Sequence, residues 1–557
     1  MYHGNAIFIA RFRPSHRTLS HLYQTTHLKY ACSTGARAMA TSTKTETITK
    51  RDVAGSFIFK IPNGDVTQAK VALFRRSSKV RTYQHKLAPC SGSVEQDDAS
   101  PLDAALREIR EETTLPASSV ELLRVGKPYS FIDEKINREW NINPFAFRLK
   151  DVAEGGKGEE GISLDWEHEN IEWHDPLQVS DSEEFGGVPK LVNSLRRVWP
   201  EYDLGPEAGR ILTEGMQKLR DDHERGAREL ASMAVSTLRD VVHQMSLSHS
   251  IYENWWANIR MAAWHLCQTR PSMGAAITRA TIKALSSLEP IYNADIARDD
   301  KIRQMAQELE TQISCRGSTI SCICTHFAHL VQQHILRNKN PHNTVSILTL
   351  SSSSTILESL RHAIGTLDVT FDLRILESRP LCEGVTLASK LTSDLPPDSP
   401  TLVTIYSDAS VALAARGVDF VVLGADRVSS AGDVSNKIGS LPAVLAAKYV
   451  NPNVKIIVLS DTEKIAAPGS MEEHRNEENS VLELSQAWKG TVKGADDVEA
   501  AISRDDSNVA VKNTYFEWVP AELIDEYVTE EGLWTTDHIK LESGTVEELI
   551  ERYFKNL

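Results

Sequence analysis

Three glutamates in the N-terminal half of the chain are spaced so that a helix would carry them on one face. Glu108, Glu111 and Glu112 stand at positions i, i+3 and i+4, which are neighbours on a helix surface. Like charges this close repel one another unless a cation neutralises them, and Mg²⁺ favours carboxylates together with water and substrate phosphates. The spacing therefore predicts a metal-binding carboxylate cluster acting on a phosphorylated substrate. A merely solvated helix face is the alternative.

The residues around the glutamates carry the signals of a helix that starts near residue 100. Ser100 is a hydroxyl N-cap, Pro101 takes the first helical position and Asp103 is acidic at the third, as is typical of helix N-termini. Short strand-like runs surround this helix, and PKLVNSLRRVW predicts a closing helix after them. These patterns predict an α+β domain over residues 55–200.

The same region resembles the Nudix hydrolases, whose signature places a glycine and an acidic residue before REUxEExGU, where U is apolar. Gly92 and Asp98 precede the matching run, which extends from Arg107 to Leu115, and WEHENIEW resembles the closing acidic strand of that family. The resemblance implies hydrolysis, with Mg²⁺ or Mn²⁺, of a nucleoside diphosphate linked to another group or of a substrate of the phosphoribosyl pyrophosphate class. It further implies metal binding by Glu108, Glu111 and Glu112, their orientation by Arg107, and substrate binding at Gly92.

Two positions depart from the Nudix signature. One additional residue separates Asp98 from Arg107, and aspartate stands where glutamate is usual. Thr114 replaces the glycine that normally ends the helix, and a β-branched residue disfavours the left-handed conformation expected there. Because neither change removes a metal ligand, we expect a catalytic domain. A Nudix fold retained for regulation is the alternative.

A different pattern governs the C-terminal half. Residues 206–340 are expected to be almost wholly helical, and the apolar runs VSILTL, FDLRILES, TLVTIYS, DFVVLGAD and VKIIVLS then alternate with helical segments. This alternation predicts an α/β protein overall, with a doubly wound parallel, Rossmann-like sheet over 341–557. In such sheets ligands bind beyond the carboxyl ends of the strands. The candidates are therefore residues 351–354, 377–380, 408, 424–426 and 461.

The segment FVVLGADRVSSAGDVSNKIGS resembles the signature shared by methylthioribose-1-phosphate isomerases, ribose-1,5-bisphosphate isomerases and the α/β/δ subunits of translation initiation factor 2B. RILESRPLCEG, SDTEKI and residues 513–532 match further family segments in the same order. This resemblance extends from about residue 225 to 545 and implies a homodimer formed through the C-terminal domain. It implies a catalytic role for Asp426 and ligand-binding roles for Arg379, Asn436, Lys437 and Lys464.

The isomerases of this family carry a catalytic cysteine at a strand end where this chain has Ser351. A thiol can be tuned into an acid or base near neutral pH, whereas a serine hydroxyl needs a dedicated base. Cys324 is an alternative alignment that we disfavour, because helix-like sequence follows it before the strand. We therefore expect binding without isomerisation, with Ser351, Ser353 and Ser354 contacting a phosphate at a helix N-terminus.

Three functions stay open on these residues. The first is a Nudix hydrolase fused to a domain that binds a sugar phosphate or a nucleotide. The second is a bifunctional enzyme in which hydrolysis releases a ribose phosphate and the C-terminal domain isomerises it. The third is a non-catalytic regulatory subunit for guanine nucleotide exchange, with translation initiation factors as partners. The intact carboxylates favour the two enzymes.

The overall composition fits a folded protein of several domains. The chain has 557 residues, of which 41% are hydrophobic and 25% charged, and this length exceeds what one core supports. A net charge of −15 disfavours nucleic acid as a partner. The sequence contains no apolar run of about 18 residues, so we expect no membrane span. Seven scattered cysteines indicate a reducing compartment.

The first 45 residues contain no aspartate or glutamate and are rich in serine, threonine and histidine. This composition is typical of a mitochondrial transit peptide, and a targeting or disordered leader is expected over residues 1–50. The alternative is that Met39 is the true first residue of a cytoplasmic protein. Mitochondrial and cytoplasmic localisation therefore both stay open.

Overall fold

The computed structural model describes residues 48–222, 225–247, 254–270, 273–316, 318–338, 343–396, 399–469, 479–502 and 508–557. The acid-free segment discussed above, with Met39, lies outside these residues. Residues 49–557 form one unit by their internal contacts. None of the described helices combines the length and the apolar character that a bilayer crossing requires.

An eight-stranded sheet forms the N-terminal part. Its strands are β1 (Thr49–Lys60), β2 (Lys70–Arg76), β3 (Leu87–Ala88), β4 (Cys90–Ser93), β5 (Val120–Val125), β6 (Tyr129–Asp133), β7 (Arg138–Leu149) and β8 (His168–His174). The main order is β3-β2-β1-β7-β5, while β4 pairs with β1, β6 with β7 and β8 with β2. The central strand β1 runs parallel to β7 over eleven residue pairs, from Thr49 to Phe59.

Two helices cover opposite faces of this sheet. Helix α1 (Pro101–Thr113) begins at Ser100, whose side chain accepts from the Asp103 N–H as the sequence predicts. Its apolar residues pack in a cluster with Ala54 and Ile58 of β1. The short helix α2 (Leu191–Arg196) packs in a second cluster with Phe57 and Phe59 of the same strand. Alternate residues of one strand point to opposite faces, so the sheet is buried on both sides.

A helical segment follows. Its helices are α3 (Glu201–Leu204), α4 (Pro206–Asp221), α5 (Ala227–Leu247), α6 (Trp255–Gln268), α7 (Gly274–Asn293), α8 (Arg298–Cys315) and α9 (Ser318–Asn338). Helix α4 ends at Asp221, Asp222 is extended, and α5 starts after Gly226, because the charged sequence between them offers no apolar face to bury.

The C-terminal part alternates strands and helices. Its elements are β9 (Thr344–Thr349), α10 (Ser354–Thr366), β10 (Thr370–Leu376), α11 (Glu383–Asp394), β11 (Leu402–Tyr406), α12 (Val411–Ala414), β12 (Phe420–Leu423), β13 (Arg427–Val428), β14 (Val434–Lys437), α13 (Ser440–Val450), β15 (Lys455–Leu459), α14 (Val481–Trp488), α15 (Ala495–Ile502), β16 (Phe516–Val519), β17 (Glu526–Thr529), β18 (Gly532–Trp534) and α16 (Thr536–Phe554).

A seven-stranded sheet has the order β11-β10-β9-β12-β15-β17-β18 and is parallel except for the last pair. Buried residues lie on both of its faces, so the prediction of a doubly wound parallel sheet is confirmed. The sequence analysis did not foresee the antiparallel edge strand β18 or the separate three-stranded sheet β13-β14-β16.

Helix α16 leaves the edge of this sheet and packs back onto the helical segment. Val546, Tyr553 and Phe554 belong to the same buried cluster as residues of α4 to α8. Two ion pairs reinforce the packing, Arg279 with Glu542 and Arg552 with Glu289. The helical segment, which ends at Asn338, therefore shares its core with a helix that starts only at Thr536.

Candidate functional site

The three glutamates of α1 face a cavity of about 400 Å³ in the N-terminal part. Glu108, Glu111 and Glu112 line it together with Glu167, which immediately precedes β8. The sequence analysis singled out the acidic run 166–173 but did not name Glu167. Helix α1 and the residue before β8 therefore both supply carboxylates to one cavity.

Arg107 holds this carboxylate group in place. Its Nη1 donates to Glu108 Oε1 at 2.7 Å and to Glu111 Oε2 at 3.3 Å. Its Nε and Nη2 bind the carboxylate of Asp98 at 3.1 and 2.9 Å, and this pairing lowers the pKa of Asp98. The bidentate geometry is the strong form of such a pair. The additional residue before Arg107 therefore does not prevent the contact with Asp98.

Gly92 on β4 leaves room for Glu108. A Cβ atom at this position would lie 2.0 Å from Oε1 of Glu108, well inside contact distance. Gly92 also lines the cavity. The structure therefore gives the glycine a steric role toward the carboxylate, beside the substrate contact that the sequence resemblance implies.

Glu112 is the most enclosed of the carboxylates, with 3% of its surface exposed. Its Oε2 accepts from the Ser91 N–H at 3.1 Å and lies 3.9 Å from His168 Nε2, while Asp165 binds the other nitrogen of that ring. Burial raises the pKa of Glu112 well above its ordinary value, and burial also raises the pKa of Glu108.

These surroundings fit a bound divalent cation. The described residues contain no group of three or more His, Cys, Asp or Glu side chains placed so that it could hold a metal ion, so binding of an ion requires these side chains to move. Three carboxylates that face one cavity repel one another, and a bound cation would neutralise that repulsion. Glu108, Glu111 and Glu112 are the residues that would hold the ion. Arg107 contacts Glu108 and Glu111, and its positive charge is shared with Asp98.

An apolar wall forms another side of the same cavity. Tyr129 and Phe131 alternate on β6, and their cross-strand partners on β7 are Ile142 and Trp140. Residues at i and i+2 and their direct partners share one face of a hairpin, and all four line the cavity. Tyr83 also lines it, with its ring centre 6.3 Å from that of Trp140. We define the apolar wall as Tyr83, Tyr129, Phe131, Trp140 and Ile142.

Thr114 ends α1 in the left-handed conformation, with φ of 60° and ψ of 8°. The sequence analysis expects a β-branched residue to resist this conformation, yet the turn normally made by glycine is kept. The Thr114 N–H bonds the Arg110 carbonyl, and Leu115 beyond it is fully buried. Packing of the chain after the helix thus outweighs the local steric cost.

A second candidate site lies at the carboxyl ends of the parallel strands. Arg379, Glu383, Lys437 and Tyr515 line one narrow cleft of about 10 Å³. Lys437 Nζ lies 3.3 Å from Glu383 Oε1 and 4.9 Å from the Tyr515 ring centre. Arg379 is half exposed and lies near Glu377. The cleft holds no more than a water molecule, so a larger ligand requires it to open.

Ser351 follows β9 at the same sheet edge and is connected to this cleft. Its N–H donates to Ser378 Oγ at 2.7 Å, and its hydroxyl lies 3.4 Å from Glu383 Oε2. The next turn is fixed by Asp408, which accepts from the N–H groups of Ser378 and Arg379 at 2.9 and 2.8 Å. The sequence analysis missed Glu383, which links Ser351 to Lys437.

Ser353, Asn436 and Asp426 lie around Gly424. A Cβ on Gly424 would approach Ser353 Oγ to 3.4 Å and Asn436 Oδ1 to 3.5 Å. Asp426 joins the same region through its N–H, which donates to the Ser435 carbonyl at 2.9 Å. The Ser353 side chain caps α10, and Ser354 is exposed in its first turn.

Two other sequence candidates lie apart from these contacts. Lys464 is buried in the turn after β15. Cys324 lies within α9, is buried, and its Sγ accepts from the Ser359 hydroxyl. A position inside a helix that precedes β9 agrees with the choice of Ser351 as the strand-end residue.

Comparison with known proteins identifies both parts of the chain. The Initiation factor 2 subunit family model matches residues 223–536, and the NUDIX domain model matches residues 57–197. A methylthioribose-1-phosphate isomerase from Rhodopirellula baltica is 30% identical over 44% of this chain and 61% of its own length. The isomerase of the same name from Fusarium vanettenii is 28% identical, over 58% of this chain and 84% of its own length.

The solved structures that this chain resembles have lower sequence identity to it than these two isomerases do. Translation initiation factor eIF-2B from Pyrococcus horikoshii has 21% sequence identity and a TM-score of 0.42, covering 59% of this chain and 97% of that one. The tetrameric beta2-delta2 complex of eIF2B from C. thermophilum has 15% identity and a TM-score of 0.45, covering 62% of this chain and 98% of that one.

The family match spans more than half of the chain and includes the strand-end residues of the second site. The NUDIX match spans the carboxylate cavity. The protein belongs to the Initiation factor 2 subunit family, and it carries a NUDIX domain ahead of the family segment.

Proposed function

We propose that the N-terminal domain is a metal-dependent hydrolase of a nucleoside diphosphate linked to a further group. The observation that supports this most is the convergence of Glu108, Glu111, Glu112 and Glu167 on one cavity. Mg²⁺ or Mn²⁺ bound there would neutralise the phosphate charge and activate water. Water adds to one phosphorus, the bridging P–O bond breaks, and two phosphate monoesters leave.

The residues of this chain divide that work among them. Arg107 fixes the carboxylate of Glu108, and Gly92 leaves the space that this carboxylate occupies. Glu167 faces the cavity from the β8 side, so we assign it the role of accepting the proton of the attacking water. Arg51 and Arg76, which also line the cavity, are suited to bind the substrate phosphates.

The apolar wall supports a substrate that contains a nucleobase. Aromatic side chains stack on flat apolar rings, and a cavity with one polar and one aromatic side suits a nucleotide. Phosphoribosyl pyrophosphate, the alternative substrate class, offers no planar ring to this wall. We therefore expect hydrolysis of ADP-ribose-like substrates to be faster than hydrolysis of phosphoribosyl pyrophosphate at equal concentration.

A substrate panel tests the hydrolase. Full-length protein is incubated with ADP-ribose, dinucleoside polyphosphates and phosphoribosyl pyrophosphate, with Mg²⁺, with Mn²⁺ or with a chelator. Glu111→Gln removes one ligand charge and should lower kcat by roughly 100-fold if the metal supplies several kcal/mol of transition-state stabilisation. Glu169→Gln removes a carboxylate charge in the acidic run 166–173, outside the cavity lining, and is the control. A wild type inactive on the whole panel would refute the proposal.

We infer that the C-terminal domain binds a sugar phosphate or a nucleotide. Arg379 offers a planar fork, Lys437 a point charge and the α10 N-terminus further donors for a phosphate. Asn436 and Asp426 can bind sugar hydroxyls. A ligand of this kind must open the cleft between Arg379 and Tyr515, so binding should be accompanied by movement of the 378–383 turn.

Isomerisation is the second candidate for this domain, because both relatives described above are named as isomerases. Ser351 stands where those enzymes are expected to use a thiol, so we propose binding without conversion. Carbon-13 NMR of methylthioribose 1-phosphate and ribose 1,5-bisphosphate incubated with the protein tests this directly. Ketose formation that Cys324→Ser abolishes would show that the wrong residue has been aligned and that the domain is an isomerase.

A homodimer through the C-terminal domain, and an association with translation initiation factors, stay predictions from the family resemblance. Light scattering of the purified chain measures the first. Co-purification of an initiation factor with the tagged chain at physiological salt would support the third function, that of a regulatory subunit.

A further inference from the structure

Arg197 connects the wall of the Nudix cavity to the end of the C-terminal domain. It follows α2 directly and is 8% exposed, and its guanidinium carbon lies 4.5 Å from the ring centre of Tyr129. Its Nη2 donates to the backbone oxygen of Leu557 at 2.9 Å. One side chain therefore contacts the apolar wall on one side and the segment after α16 on the other.

The orientation of Arg197 is fully determined by its hydrogen bonds. Nε donates to Asn193 Oδ1 at 2.9 Å, and Nη1 donates to the Lys127 carbonyl at 3.1 Å. With Nη2 on Leu557, each of its nitrogens has an acceptor. A planar guanidinium held at three points is a rigid surface for an aromatic ring.

The hydroxyl group of Tyr129 is also held in place. Its hydroxyl lies 2.8 Å from Ser194 Oγ and 3.3 Å from the Lys190 carbonyl. Tyr129 and Ser194 both line the cavity. The ring position thus depends on three residues of the α2 region, Lys190, Ser194 and Arg197, and Arg197 also contacts the segment after α16.

The segment that reaches Arg197 is itself firmly placed. The Tyr553 hydroxyl donates to Glu289 Oε2 at 2.9 Å, and Arg260 donates to the Tyr553 carbonyl at 3.3 Å. Leu557 packs on the buried cluster of the helical segment. The contact with Arg197 is therefore made by a fixed element and not by a loose tail.

We propose that Arg197 is a positioning residue, through which the segment after α16 sets the Tyr129 side of the Nudix substrate cavity. The proposal rests on the proposed hydrolase function, since Tyr129 matters there only as part of the substrate wall. It implies that the NUDIX domain needs residues 555–557, which follow α16 beyond the family segment, for full substrate affinity. The carboxylate group is untouched, so the chemical step should be unaffected.

The test compares four variants of the full chain. Arg197→Ala removes the contact with Tyr129, and deletion of residues 555–557 removes the acceptor on Leu557 together with the packing of the Leu557 side chain. Arg196→Ala is the matched control, because Arg196 pairs with Asp203 and lies over the Tyr202 ring, away from the cavity lining. With ADP-ribose and Mg²⁺, the first two should raise KM by roughly 3- to 10-fold at unchanged kcat, from loss of an ordered cation–π contact. Arg197→Lys should restore part of the affinity.

Hydrogen exchange supplies a readout that needs no turnover. Amides of residues 129–133 should exchange faster in Arg197→Ala and in the deletion variant than in wild type, and Arg196→Ala should match wild type. If no substrate is hydrolysed, the exchange data still decide the positioning role. Unchanged exchange and unchanged KM in the deletion variant would overturn the proposal.

Discussion

Gly92 and Glu108 are in such close contact that a single methyl group on the glycine would overlap the carboxylate, with Cβ 2.0 Å from Oε1. The carboxylate cannot simply swing aside, because Arg107 holds the same oxygen at 2.7 Å. The two contacts together define where Glu108 can lie.

Gly92→Ala should therefore impair the hydrolase more than the fold. We expect kcat to fall by at least roughly 10-fold, the effect of losing little more than 1 kcal/mol of transition-state stabilisation, with an unfolding midpoint close to wild type. Gly365→Ala, where no atom lies within 4 Å of the added Cβ, is the control. Wild-type turnover in Gly92→Ala would contradict the steric role.

Replacement of Thr114 by glycine should stabilise the folded protein. Its backbone φ of 60° is costly for a β-branched residue and free for glycine, and its side chain is exposed with one long contact to the Gly161 carbonyl. Thr114→Gly should raise the free energy of unfolding by about 0.5 to 1 kcal/mol, measured by urea denaturation. Thr114→Asn should gain less. A loss of stability in the glycine variant would show that the Thr114 contacts matter more than its conformation.

Arg379 should dominate phosphate binding in the C-terminal domain. Arg379→Ala should weaken binding of a pentose phosphate, measured by calorimetry on the full chain carrying Glu111→Gln, by roughly 2 to 3 kcal/mol for a lost charge-assisted contact. Arg303→Ala, on the exposed face of α8, is the control. Equal affinity of the Arg379 variant and wild type would place the phosphate elsewhere.

His265 predicts a loss of stability in acid. It is fully buried in α6, both ring nitrogens lack a hydrogen-bond partner among the described residues, and burial lowers its pKa well below 6.5. Below about pH 6.5 the His265 imidazole gains a proton in the unfolded chain but not in the folded chain, so the free energy of unfolding falls as pH falls. Between about pH 6.5 and 5.5 wild type should lose roughly 1 kcal/mol more than His265→Leu. Parallel pH profiles of the two proteins would show that His265 protonates in the folded state.

The sequence predicts those features of the Nudix site that depend on neighbouring residues, and few of the features that depend on strand pairing. The helix signals at Ser100 and the glutamate spacing depend on neighbouring residues, and the structure has this helix from Pro101 to Thr113. Glu167 and Trp140 reach the same cavity from distant strands, and their side is fixed by strand pairing that no short window reveals. The acidic run 166–173 was the available signal for Glu167.

In the second site, too, the features set by neighbouring residues were predicted and the contacts between distant elements were not. Apolar runs that end in small or acidic residues correctly indicate the sheet edge, because strand periodicity is local. Glu383 was missed, since its contacts with Ser351 and Lys437 arise only when β9, β10 and β14 come together. The left-handed Thr114 was misjudged for a related reason, as burial of Leu115 overrides a local preference.

Helix α16 has a consequence for synthesis on the ribosome. Its residues Val546, Tyr553 and Phe554 complete a core most of whose members, in α4 to α8, are translated long before. About 220 residues separate the end of α8 from the start of α16, which takes roughly 10 to 45 seconds at ordinary elongation rates. During that interval an apolar face of the helical segment stays uncovered, although the sheet of the NUDIX domain can already close. Chaperones that bind nascent chains would therefore find their main target in the middle of this protein, and slow elongation would prolong the exposure.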